Sequence, residues 1–256
     1  MNAVDLGIPA VRPATDTSAR PDTPALIDRF GRIATDLRVS LIDKCNLRCT
    51  YCMPAEGLPW MKRDEMLDTG EMIRLIRLAV EELGITNVRF TGGEPLLRQD
   101  LVDVIAATSA LPGHPKTSLT TNGINLGRYA DALVEAGLDR VNVSLDTLDR
   151  DTFRELTRRD RFDDVLAGLA AAKATGLEPV KVNAVLLRGQ NDHEAGDLLR
   201  YCLEHGYQLR FIEQMPLDPQ HGWDRAQMIT ADEILDKLSA EFTLTPHEAE
   251  RGSAPA

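Results

Sequence analysis

Three cysteines fall within eight residues of this chain, in Cys45-Asn-Leu-Arg-Cys49-Thr-Tyr-Cys52, just after the apolar run Leu37–Ile42. Cysteines this close can barely form a strain-free disulfide, and an odd number leaves one unpaired. Gathered on one loop they can instead converge on a soft metal centre, for which thiolates favour zinc, copper(I) or an iron–sulfur cluster. Zinc usually wants four ligands, commonly in paired Cys-x-x-Cys units, and no second pair exists in this chain. One of five histidines could complete a Cys3His site, but none lies near the loop. An iron–sulfur cluster on three thiolates leaves one iron open for a further ligand. The count of three therefore favours iron–sulfur over zinc.

Other polar clusters have plainer alternatives. Thr91-Gly-Gly-Glu-Pro95 lacks the glycine spacing of a dinucleotide loop and the Lys-Ser/Thr of a phosphate loop, and by itself reads as a tight turn. Thr120-Thr-Asn-Gly123 reads as a strand-ending turn, and Val143-Ser-Leu-Asp146 as strand alternation running into a helix cap. Any single arginine or lysine is most simply a solvated surface charge, and Met215 alone is core filler.

The elements that must position these residues follow a repeat. Four amphipathic segments close on a glycine and lead at once into a β-rich run. These are Gly84 before Asn87–Thr91, Gly137 before Arg140–Leu145, Gly176 before Val180–Leu186 and Gly206 before Gln208–Ile212. Glycine just past a helix end accepts the left-handed cap. Helical stripes run through Met72, Leu75, Ile76, Ala79 and Leu83, and through Leu126, Tyr129, Ala130 and Leu133. Asp68-x-x-Glu71 and Thr230-x-x-Glu233 have the form of capping boxes. With strands at Leu37–Ile42 and Thr117–Thr121 this gives six β/α units, a parallel sheet with helices outside. The strands end in polar or glycine-rich clusters, the edge where barrel enzymes keep their chemistry. Periodicity alone leaves a partial barrel and an open sheet as alternatives.

A chain of 256 residues suits one large α/β domain. Its net charge of −11, from 40 acidic and 29 basic residues, argues against a nucleic-acid-binding surface but leaves room for a local basic pocket. The cysteine pattern is not that of a disulfide-stapled secreted domain, no apolar run reaches membrane-spanning length, and no signal-peptide core precedes Leu26. A cytoplasmic location is expected, without nucleic acid or membrane partners. Residues 1–27, with Pro9, Pro13, Pro21 and Pro24, are expected to form a flexible extension, and residues 28–242 the core.

The Cys-x3-Cys-x2-Cys spacing with an aromatic residue before the last cysteine resembles the signature of the radical S-adenosylmethionine (SAM) superfamily. The run Leu37–Pro54 resembles more narrowly the GTP 3′,8-cyclase family of molybdenum-cofactor biosynthesis. So do Val88–Pro95, Thr120–Gly123, Asn142–Asp146, Val180–Asn183 and Phe211–Pro216, in order along the chain. The resemblance implies a partial (β/α)6 TIM-like barrel. It implies that Cys45, Cys49 and Cys52 ligate a [4Fe–4S] cluster whose open iron binds SAM. Tyr51, Gly93, Ser144 and Met215 match positions that contact SAM, and Arg38, Arg89, Thr120 and Lys181 match positions that contact GTP. Guanidiniums and an ammonium at strand ends suit a triphosphate chemically. The implied reaction takes a hydrogen from C3′ of the GTP ribose by a 5′-deoxyadenosyl radical, and the resulting carbon radical attacks C8 of guanine. The implied partners are a reducing electron donor and the downstream cyclic pyranopterin monophosphate synthase.

One departure stands out. The family carries a second cysteine set near its C-terminus, whereas here only Cys202 follows Cys52, on a helix face with Leu198, Leu199 and Leu203, as core. Residues 243–256 fall where that second cluster region begins in the family, so a truncated or shortened relative is expected. The rivals are a radical SAM enzyme for another substrate, a zinc-stabilised interaction protein, and a SAM-binding chain that does not complete the reaction.

Overall fold

The computed structural model describes residues 23, 25–28, 31–216 and 223–246. The expected extension over residues 1–27 and the tail over 243–256 lie largely outside the described residues.

Six strands form the sheet: β1 (Asp36–Ser40), β2 (Asn87–Thr91), β3 (Lys116–Thr121), β4 (Arg140–Ser144), β5 (Val180–Val185) and β6 (Gln208–Ile212). All pair in parallel, and their order in space is their order in the chain. A doubly wound sheet reverses its strand order at a switch point. Here no reversal occurs, so right-handed crossovers place every helix on the same face. The result is the expected six-stranded barrel-type sheet, with β1 and β6 as its two edges.

Seven helices follow: α1 (Thr69–Leu83), α2 (Leu101–Ser109), α3 (Leu126–Glu135), α4 (Arg150–Thr157), α5 (Phe162–Ala174), α6 (Ala195–His205) and α7 (Ala231–Ser239). The core lies between them and the apolar side of the strands. Val88, Phe90, Leu119, Val141, Val143 and Val182 are fully buried there against Ile76, Ile105, Leu126, Leu133, Val165, Leu169 and Cys202. A second cluster of Ala184, Leu186, Leu198, Ile229, Ile234 and Leu238 packs α7 and α6 over β5. Both capping boxes form, at Asp68/Glu71 and at Thr230/Glu233. The cap glycines Gly84 and Gly206 adopt φ of 71° and 69°, the left-handed conformation that closes a helix.

Several boundaries and faces differ from the sequence pattern. β1 stops at Ser40 because, after Leu41 N donates to Thr91 O, the chain turns so that Ile42 O can accept from Gly93 N. Leu75 and Leu83 are exposed, not buried, because the inward face of α1 is the narrower set Met72, Ile76 and Ala79. Leu75 stands about 100° round the helix from Ile76. Leu203 likewise points outward, while its neighbour Cys202 is core as expected. Two helices, not one, join β4 to β5, and α4 has no counterpart in the glycine-closed repeat.

One ion pair ties the sheet edge to α1 and α2. Arg98 donates to both carboxylate oxygens of Asp100, at 2.6 and 3.0 Å, and to the carbonyls of Leu41 and Leu67, while Thr69 donates to Asp100 as well. The Arg98 bond, followed by that of Thr69, holds the Asp100 carboxyl down at about 2. A depressed carboxyl stabilises the fold above its unfolded value near 4, and that contribution disappears as pH falls through about 2. Asp100→Asn is therefore expected to destabilise the protein at neutral pH, with the deficit shrinking from about pH 4 downward. Urea unfolding across that pH range checks this.

Candidate metal centre and basic channel

The cysteine loop leaves β1 at the carboxyl edge of the sheet and is held by its backbone. Gly93 N donates to Ile42 O at 2.6 Å and Glu94 N to Lys44 O at 2.7 Å, so the Gly-Gly-Glu-Pro turn lies directly on the segment ahead of Cys45. A Cβ at Gly93 would fall 2.3 Å from Lys44 O and 2.4 Å from Asp43 O, and one at Gly92 2.4 Å from Ile42 O. Only glycine allows that approach. The buried Glu94 carboxylate accepts from Thr121 Oγ1 at 2.6 Å, Asn122 N at 2.7 Å and Leu96 N at 3.0 Å. Burial raises its carboxyl above the ordinary value, and these donors pull it back. Asn122 Nδ2 in turn donates to Asn46 Oδ1 at 2.7 Å and to the Cys45 sulfur at 3.9 Å. In this way the ends of β2 and β3 fix the first thiol.

The last part of the loop is pinned from the other side. Tyr51 donates its hydroxyl to Asp146 Oδ2 at 2.6 Å, and Val185 N donates to Asp146 Oδ1 at 2.9 Å. Burial pushes the Asp146 carboxyl up to about 6 against the pull of those two donors. Asn191, fully buried, bridges Asp146 O at 2.7 Å and Val185 O at 2.9 Å and accepts from Leu187 N. Thr50 and Tyr51 line a cavity of about 260 Å³ with Leu187, Arg188 and Gln214, which brings the segment after β6 to the loop.

The helix-free face of the sheet is polar, from the alternation of side chains along each strand. Arg38 pairs in register with Arg89, Arg89 with Ser118 and Ser118 with Arg140. Nearer the carboxyl edge, Thr120 pairs with Asn142, Asn142 with Lys181, Ser144 with Asn183 and Asn183 with Arg210. Arg89, Arg140, Lys181 and Arg210 are half-buried, and Arg38 is exposed. Among the described residues none of these cations forms an ion pair. Burial, then the charges of Arg210, Arg140 and Arg89, lower the Lys181 ammonium, and burial with Arg89 and Arg140 lowers Arg210. The like charges gathered on this face thus disfavour the charged forms of Lys181 and Arg210. Among the described residues Asn183 Oδ1 is buried without a hydrogen-bond partner.

The expected residues thus gather on one edge and one face. Cys45, Cys49, Cys52, Tyr51, Gly93 and Ser144 stand at the carboxyl edge, and Met215, half exposed, follows β6 there. Arg38, Arg89, Thr120 and Lys181 occupy the polar face below. Arg140, Arg210, Asn142 and Asn183 share that face and were not singled out from the sequence, although each holds the polar slot of an alternating strand.

The donor set fits a cluster. All three thiols of the loop are free, and burial raises both Cys45 and Cys49. The charges of Glu94 and then Cys52 add to the rise of Cys45, and those of Asp146 and then Cys52 to that of Cys49. Loading the loop requires thiolates and so releases protons. Among the described residues no three His, Cys, Asp or Glu side chains are grouped as the ligands of a single metal ion are. Three soft thiols on one loop are the donor type that an iron–sulfur cluster takes.

Comparison with known proteins shows the family. A family model described as the radical SAM superfamily matches residues 39–202. The GTP 3′,8-cyclase of Mycobacterium sp. (strain KMS) is 60% identical over 257 aligned positions, covering 100% of this chain and 73% of that one. That of Streptomyces coelicolor (strain ATCC BAA-471 / A3(2) / M145) is 61% identical over 241 positions, covering 94% and 71%. Among solved structures, methylornithine synthase shares the fold, with a TM-score of 0.59 at 15% identity over 81% of this chain and 63% of that one. No helix among the described residues is long and apolar enough to cross a membrane. Radical SAM proteins use a [4Fe–4S] cluster and SAM, the pair of cofactors that a three-thiolate loop with an open fourth position calls for. The chain belongs to the radical SAM superfamily and, within it, to the GTP 3′,8-cyclase family.

Proposed function

We propose that this chain converts GTP to (8S)-3′,8-cyclo-7,8-dihydroguanosine 5′-triphosphate. The observation that carries the proposal is the group of cations Arg38, Arg89, Arg140, Lys181 and Arg210, which have no carboxylate partner among the described residues, on the face directly below the cysteine loop. In a chain of net charge −11 such a group has no use as a general surface. It suits a compact polyanion, and a triphosphate relieves the mutual repulsion of its members.

Cys45, Cys49 and Cys52 would hold the [4Fe–4S] cluster, with Tyr51, Gly93, Ser144 and Met215 around SAM. When bound, these groups supply the 5′-deoxyadenosyl radical that takes hydrogen from C3′ of the ribose. The residues of the chain bind and orient. Arg38, Arg89, Arg140, Lys181 and Arg210 neutralise the phosphates at the deeper end. Thr120, which accepts from Asn142 Nδ2 at 3.3 Å, offers its hydroxyl to the nucleoside. Asn183, level with Ser144, supplies a buried acceptor for a hydroxyl of the substrate or of SAM. Holding the sugar against the loop and away from water is the larger part of the protein's contribution. The electron comes from an external reductant, and the product passes to cyclic pyranopterin monophosphate synthase.

Lys181→Ala and Arg210→Ala test the phosphate site. Each removes one charge-assisted contact and is expected to weaken GTP binding by roughly tenfold to a hundredfold. Guanosine, without phosphates, is expected to bind both variants as it binds the parent. Equilibrium binding in low salt decides this, and an unchanged GTP affinity in both variants would remove the polyanion from the polar face.

A further inference from the structure

Helix α4 ends against the cysteine loop, and the join is built from both sides. Arg48 N donates to Thr157 O at 2.9 Å and Thr50 N to Leu156 O at 2.8 Å. Two carbonyls that a helix end leaves without internal partners are thereby taken up by the loop. The helix stops at Arg158, with φ 55° and ψ 26° in the left-handed region. Glycine adopts that conformation freely, whereas an arginine there is strained, and such strain persists only where the surroundings fix it. Thr157 helps to fix it, donating its hydroxyl to Phe153 O and Arg159 O.

From this backbone the half-buried guanidinium turns back onto the loop. Its Nη1 donates to Arg48 O and to Met53 O, both at 3.0 Å. One nitrogen ties the residue before Cys49 to the residue after Cys52. Within that span Cys52 N and Met53 N both donate to Cys49 O at 3.0 Å, so the guanidinium closes a turn that carries two of the three thiols. Among the described residues Arg158 forms no ion pair. Its bonds to the loop go to carbonyls alone.

We propose that Arg158 is a positioning residue for the metal centre, holding the Cys49–Cys52 turn in the shape that presents both sulfurs to one cluster. This rests on the reading that the loop holds a [4Fe–4S] cluster. The residue acts through the loop backbone and touches neither cofactor nor substrate.

Two variants of the full chain test it, Arg158→Met, which keeps the apolar stem and loses the donors, and Arg158→Lys, which keeps a cation with several donors. Hydrogen exchange of the metal-free proteins is read first. Arg158→Met is expected to exchange the amides of Cys52 and Met53 roughly tenfold or more faster, with β3 and β4 unchanged, and Arg158→Lys to restore most of the protection. After anaerobic reconstitution, Arg158→Met is expected to lose iron to a chelator faster by a similar factor. The electron paramagnetic resonance spectrum of its reduced cluster should be broadened, and Arg158→Lys should return it to the parent form. Unchanged loop exchange and iron retention in Arg158→Met would overturn the proposal. So would a loss of protection spread evenly over β3 and β4, which would make Arg158 general support for the fold. A parent chain that takes up no iron would instead overturn the cluster reading on which the proposal stands, and it is read separately in the same reconstitution.

Discussion

Cys49→Ser is expected to abolish SAM cleavage while leaving the protein folded. Cys49 is the middle thiol of the loop, half-buried and bracketed by the Arg48, Cys52 and Met53 backbone bonds that shape the turn. A serine hydroxyl nearly matches the thiol in size but is a hard, weakly acidic ligand for iron, and two remaining thiolates hold a four-iron cluster poorly. The parent should take up about four irons per chain on anaerobic reconstitution. The variant should retain little iron after desalting and release no 5′-deoxyadenosine above background. Its unfolding midpoint should move by no more than about 1 kcal/mol equivalent, because the half-buried side chain packs only on the margin of the core, the hydroxyl nearly matches the thiol in size, and no side-chain hydrogen bond among the described residues is lost. Iron analysis, nucleoside chromatography and urea unfolding on the same preparations separate loss of the cluster from loss of the fold. Full iron retention in Cys49→Ser would remove that residue from the ligand set.

Gly93→Ala is expected to have a large effect for a single added methyl group. The new Cβ would meet Lys44 O at 2.3 Å and Asp43 O at 2.4 Å. Both are backbone atoms in the segment that leads into Cys45, so neither can swing aside as a side-chain end would. Relief requires the two segments of the join to part, at the expense of the bonds from Gly93 N to Ile42 O and from Glu94 N to Lys44 O. Overpacking of this kind costs about 1–3 kcal/mol. The same movement carries Glu94 away from Thr121 and Asn122, and with them the support of Cys45. Thermal unfolding should show the destabilisation, and SAM affinity of the reconstituted protein should fall by roughly tenfold or more. A variant with parent stability and parent SAM affinity would show that the close approach of these segments is not needed.

The architecture was legible where the chain repeats a pattern. Glycines that close helices and runs such as Val180-Lys-Val-Asn-Ala-Val185 gave the six strands, because alternation and capping are local properties, while the barrel arrangement of those strands was implied by the family resemblance alone. The same alternation carried more than was taken from it. Arg140 and Arg210 occupy the polar slots of Arg140-Val-Asn-Val-Ser144 and Gln208-Leu-Arg-Phe-Ile212, as Lys181 does in its own strand. Helix α4 was missed because its short, charged sequence buries only Phe153, Leu156 and Thr157 and ends on an arginine in place of the usual glycine.

Contacts between distant segments were not legible at all. The bond from Tyr51 to Asp146 joins residues 95 positions apart, and those from Arg158 span 105 and 110. Nothing in the composition of either partner announces such a pair. The cysteine spacing marks where a metal centre belongs, and the supports that give the loop its shape become visible only once the ends of β2, β3, β4 and α4 meet around it.

The central claim is that the cysteine loop and the basic face below it serve one reaction at C3′ of the ribose. The most direct test is to incubate the anaerobically reconstituted chain with dithionite, SAM and GTP deuterated at C3′, and to weigh the 5′-deoxyadenosine that forms. The account predicts 5′-deoxyadenosine carrying one deuterium, formed faster with GTP than without it. Unlabelled 5′-deoxyadenosine, released at the same rate whether or not GTP is present, would contradict it.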